Sequence, residues 1–170
     1  MALVEARVDG LAMDMSTHSP VVILAPKDDD NKVLPIWIGH SEAWAIAMQL
    51  SGVKAKRPLT YDLFRSVIET LGAEVDRVEV TELREQTFYA IVHLNADGDE
   101  YQIDARPSDS IALALKTGAR IFIDDDLLSI GQGEQAPDSE QEPPPMPTDP
   151  ETLRDRLQRI NPEDFGKYSL

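Results

Sequence analysis

Residues 74–118 read EVDRVEVTELREQTFYAIVHLNADGDEYQIDARPSDSIALALKTG. Three runs rich in β-branched and aromatic residues, 74–83, 87–94 and 100–105, predict strands. Asp97-Gly98, between the second and third, is a hairpin turn signal and makes that pair antiparallel. Pro107 then introduces a helix over 108–116, with Ser108 as its expected N-cap and Thr117-Gly118 as its stop. A short strand over 120–123 follows, before the acidic triplet 124–126. Strands and helices are mixed along the chain and do not strictly alternate, which predicts an α+β fold with a mixed, mainly antiparallel sheet and about three packed helices.

Upstream, 3–8 and 20–25 read as strands, and 33–38 as a third that Pro35 places at an edge. Ser41 is the expected cap of a helix reaching Leu50. Thr60 does the same for a helix over 61–71, whose apolar stripe is Leu63, Phe64, Val67, Ile68 and Leu71, with Gly72 at its end. Downstream the composition changes. Residues 131–148 are acidic and proline-rich with almost no large apolar side chain, so they predict a disordered linker between a domain at 1–130 and a short C-terminal helix with tail at 149–170.

The chain of 170 residues has no cysteine, which excludes disulfides, thiolate nucleophiles and Cys-based zinc sites. No run approaches the roughly 20 apolar residues of a membrane span, and the N-terminal residues lack the pattern of a secretory signal. A cytoplasmic protein with no membrane partner is the expectation. The net charge of −15 repels polyphosphate at long range and so opposes a nucleic-acid partner. Phosphate-cradling GxxxxGK[ST], GxGxxG and HExxH patterns are all missing.

Three segments carry a resemblance: VLPIWIGHSEA at 33–43, RPLTYDL at 57–63 and IDARPSDSIALA at 103–114. In this order they resemble the bifunctional-nuclease domain family, over about residues 3–130. The resemblance implies a compact α+β fold, nuclease activity on DNA and RNA, and assembly as a homo-oligomer.

Phosphodiester cleavage needs a water-activating group, positive charge on the phosphate oxygens and often a divalent metal on carboxylates. Asp104, Arg106, Ser108 and Asp109 can supply these at one strand-to-helix corner. Asp104 and Asp109 are the candidate ligands for Mg²⁺ or Mn²⁺, Arg106 and Ser108 the phosphate contacts. The bland alternative is capping and a structural ion pair. His40 and Glu42, at a second such corner, are the candidates for proton transfer, against an exposed or capping role for His40. Lys54, Lys56 and Arg57 form the one basic cluster in the sequence, a landing point for a phosphate backbone or a solvated loop. Two functions follow: a metal-assisted nuclease of low sequence specificity, or a non-catalytic homo-oligomeric module binding a protein or small anionic ligand.

Overall fold

The computed structural model describes residues 2–130. The quoted stretch folds as β4 (Ala73–Arg84), β5 (Thr87–Ala96), β6 (Asp99–Ala105) and helix α3 (Pro107–Thr117), followed by β7 (Arg120–Asp124). Asp97 and Gly98 both take positive φ between Ala96 and Asp99, the two-residue turn whose twist suits a hairpin. Glu85 and Gln86 make the same kind of turn between β4 and β5, with φ of 48° and 63° on residues that have a Cβ. No glycine or asparagine marks that turn in the sequence.

The N-terminal part supplies β1 (Leu3–Asp14), β2 (Ser19–Pro26), β3 (Leu34–Trp37), then helices α1 (His40–Leu50) and α2 (Thr60–Thr70). β1 is longer than the expected 3–8, carried on by a bulge between Val8 and Gly10. At its far end the Trp37 indole N–H donates to Asp14 at 2.8 Å. All seven strands form one sheet in the order β3-β2-β1-β7-β4-β5-β6, antiparallel except where β7 lies parallel to β4. The molecule is therefore α+β, as expected. The acidic triplet, expected to follow the last strand, instead contributes buried Asp124 to the end of β7 and opens a further short helix, α4 (Asp125–Ile130).

The helices cover one face of the sheet. Val78, Val80, Ala90, Val92, Ile121 and Ile123 on that face pack with Ile111, Leu113 and Ala114 of α3 and Ile46 of α1. α3 is the central helix, and its small Ser110, Ala112 and Ala114 are buried, which lets α1 and α2 pack beside it. α2 meets the domain only in part. Its Ile68 is buried, while Leu63, Phe64, Val67 and Leu71 are exposed, so the stripe expected to face a core turns largely outward.

The other face of the sheet carries an ionic network. Arg77 donates to Asp76, Glu79 and Glu100 at 2.6, 2.7 and 3.1 Å. His93, only 2% exposed, sits between Glu100 on one ring nitrogen at 2.6 Å and Glu79 on the other at 3.1 Å. It is a sheet-face residue, as its place between Val92 and Leu94 predicts. The linker at 131–148 and the helix at 149–170 lie outside the described residues. Among the described residues no helix is long and apolar enough to cross a membrane.

Candidate functional site

Helix starts decide the site, and each begins earlier than the sequence reading placed it. α1 is capped at Gly39, not Ser41; α2 at Leu59, not Thr60; α3 at Arg106, with Pro107 in the first turn, not at Ser108. Proline suits that position because its missing N–H has no intrahelical acceptor there. Glu42, Tyr61 and Asp109 consequently stand in the first turns of α1, α2 and α3.

Arg106 joins those turns. Its Nε donates to Asp109 Oδ2 at 2.7 Å, and its Nη2 to Glu42 Oε1 at 2.8 Å and Asp109 Oδ1 at 3.1 Å. The Tyr61 hydroxyl donates to the same Asp109 Oδ1 at 2.7 Å. Of the five guanidinium N–H groups, the two on Nη1 have no partner among the described residues, and the side chain is 66% exposed. The cluster thus pins one edge of Arg106 and presents the other to solvent. The mutual pairing holds the guanidinium more firmly protonated than usual, chiefly through Asp109.

Gly39 makes room for this arrangement. A Cβ there would lie 2.2 Å from Glu42 Oε2, although the residue's φ of −72° suits any amino acid. The Glu42 carboxylate folds back over the helix start, accepting the Ser41 hydroxyl at 3.0 Å as well as Arg106. Burial raises the Glu42 pKa, but its own main-chain N–H, Ser41 and Arg106 outweigh that and leave it below the ordinary value of 4.5. A depressed folded-state pKa means stability that is complete above the unfolded value and lost as pH falls through the folded one. In thermal melts between pH 6 and 3, the Tm of Glu42→Gln is therefore expected to fall less below pH 4.5 than that of the wild type. Gly39→Ala is expected to keep the fold, seen by circular dichroism, but to displace the carboxylate and cost about 1 kcal/mol, a few degrees of Tm.

The other predicted residues fall elsewhere. Asp104 pairs with Ile91 in the β5–β6 ladder, beside the His93–Gln102 pair. Side chains paired across a ladder share a face, so Asp104 points to the side away from α3 and does not join Asp109. Asp104 and Asp109 accordingly do not fit a shared metal, and no group of three or more His, Asp or Glu among the described residues is arranged to hold one. Ser108 is buried in the second position of α3 and has no surface to offer a phosphate. His40 is exposed at the start of α1, two residues ahead of Glu42. Lys54, Lys56 and Arg57 are exposed in the connection between α1 and α2, which leads directly into Tyr61. Tyr61 is the site residue that sequence reasoning missed: nothing in its spacing signals a partner 48 positions later.

Comparison with known proteins places the chain in a known class. Residues 22–135 match the bifunctional nuclease domain, and the chain belongs to that family. Along 95% of its length it is 37% identical to an uncharacterized protein of Mycobacterium tuberculosis, 97% of which is covered. It is also similar to Bifunctional nuclease 1 of Oryza sativa, 26% identical over 61% of this chain, and Bifunctional nuclease 2 of Arabidopsis thaliana, 28% identical over 58%. The chain spans about a third of the length of those plant proteins.

Proposed function

We propose that this protein is a nuclease of low sequence specificity that hydrolyses phosphodiester bonds in DNA and RNA, with Arg106 steadying the scissile phosphate. The observation that carries the reading is the Nη1 edge of Arg106, exposed and without a partner among the described residues while its opposite edge is held by Glu42 and Asp109. Each open Nη1 N–H can donate a charge-assisted hydrogen bond to a non-bridging phosphate oxygen. The first turns of three helices add partial positive charge at the same corner, about half a unit each, which offsets the second carboxylate. Two plant relatives in the same family bear the name bifunctional nuclease.

Hydrolysis adds water across the P–O bond: the water oxygen bonds to phosphorus, its proton goes to a base, and the departing ester oxygen takes up a proton. Glu42, held below the ordinary carboxylate range, is a weak base near neutrality, so its part is to hold Arg106. His40, in the same first turn, is the candidate for proton transfer. Lys54, Lys56 and Arg57 would receive the flanking backbone.

The test is cleavage of single- and double-stranded DNA and RNA by purified protein, with Mn²⁺ and with a chelator, beside Asp104→Ala and Arg106→Ala. Cleavage that survives in the first variant and is lost in the second is the expected result. No cleavage by the wild type, or full cleavage by Arg106→Ala, ends the proposal.

A second reading, a non-catalytic homo-oligomeric module for a protein or small anionic ligand, is favoured by the outward apolar stripe of α2, where Leu71 is 77% exposed. Like copies covering this stripe would account for it. Phe64→Glu is then expected to lower the molar mass measured by light scattering, and an unchanged mass would remove α2 from any such contact.

A further inference from the structure

We infer that Tyr61 is a positioning residue: its hydroxyl locks the Asp109 carboxylate, and through Asp109 it aims the open Nη1 edge of Arg106. The functional consequence rests on the phosphate role of Arg106 given above, whereas the geometric part does not. An ion pair in water holds its partners loosely, worth about 0–1 kcal/mol, because two mobile side chains must stay in one arrangement. Arg106 is two-thirds exposed and Asp109 one-third, so without a further anchor on Asp109 the guanidinium would be held firmly only at Glu42, through Nη2. Tyr61 changes this. Its ring is half-buried against the core cluster, and it delivers an O–H to Asp109 Oδ1 at 2.7 Å, a short charge-assisted bond. That bond fixes the carboxylate plane, so that Oδ2 faces Nε and Oδ1 faces Nη2 of Arg106 together.

Burial first, then the Asp109 carboxylate, push the Tyr61 hydroxyl well above the ordinary phenol range, so it remains a donor wherever the fold survives. The bond also links elements that no chain connection ties together here, the start of α2 and the start of α3, 48 residues apart. Tyr61 therefore acts on Arg106 at one remove and need touch no substrate.

The test uses the full chain and Tyr61→Phe, which keeps the ring and removes only the oxygen. By NMR, the Arg106 Nε–H signal, identified by its loss in Arg106→Lys, is expected to be sharp and slowly exchanging in the wild type. In Tyr61→Phe it is expected to broaden or exchange faster, while that of Arg65, which donates to Glu69, stays unchanged. With a single-stranded DNA oligonucleotide and Mn²⁺, kcat is expected to fall about tenfold with KM nearly unchanged, since a donor aimed at charge that develops in the transition state is lost. In an Arg106→Lys background the same substitution should add nothing. An Arg106 signal identical in Tyr61→Phe, or an equal effect on kcat in both backgrounds, overturns the inference. Should the wild type cleave nothing, the nuclease reading falls alone and the Arg106 signal still decides the role of Tyr61.

Discussion

Arg106→Ala is expected to lower kcat/KM on nucleic acid by about a hundredfold or more, the scale seen when one preorganised donor to a developing oxyanion is removed. The reason is local. The wild-type guanidinium is already oriented by three bonds, so its Nη1 edge meets the phosphate without reorganisation. Removing it also leaves Glu42 and Asp109 facing the incoming anion with no cation between them. Lysine at the same position returns a charge but not the planar fork, so partial recovery is expected from Arg106→Lys. Stability should change little, because Arg106 is mostly exposed. Steady-state kinetics beside thermal melts separate the two effects. An Arg106→Ala protein with unaltered kcat/KM would refute the assignment.

Arg77→Met is expected to destabilise the fold by about 1–2 kcal/mol, less than breaking a fully buried pair costs, because Asp76 is part-exposed and Glu100 exposed. Methionine keeps the stem's packing and deletes the charge. Asp76, Glu79 and Glu100 then lose their shared donor, and Glu79, only 11% exposed at its side chain, is left with His93 as its remaining neighbour of opposite character. Arg77 is one-quarter exposed, so water relieves part of the loss and keeps it below the extreme for sealed pairs. Urea denaturation gives the value directly. A midpoint within error of the wild type would mean that the network stabilises nothing.

How much of this was legible in the sequence follows from what each residue needs for its placement. Asp97-Gly98 announced its turn because left-handed backbone selects those residues; Glu85 and Gln86 adopt the same conformation against their own preference, held there by the strands on either side. The 61–71 helix was readable from its periodicity, but the direction of its stripe was not, since spacing defines a face without naming what covers it. Arg106 and Asp109 were found together because they lie three apart at a helix start, and Glu42 because its own corner was polar. Their meeting across 64 positions required the fold. Asp104 failed as their companion because it stands on the ladder face away from α3, while the chain leaves β6 after Ala105 and turns into α3 at Arg106. Ser108 failed because Pro107 took the helix start one residue earlier.

The parallel contact between β7 and β4 has a kinetic consequence. β1-β2-β3 and β4-β5-β6 are each joined by neighbouring antiparallel pairs that can form soon after their segments are made, whereas β7 arrives last and alone bridges them. Closing so distant a pairing is the slow, entropically costly event of assembly. Until β7 is in place the β1-β2-β3 and β4-β5-β6 half-sheets each have an open inner edge, and the corner formed by α1, α2 and α3, drawn from both halves, is completed by that last seam.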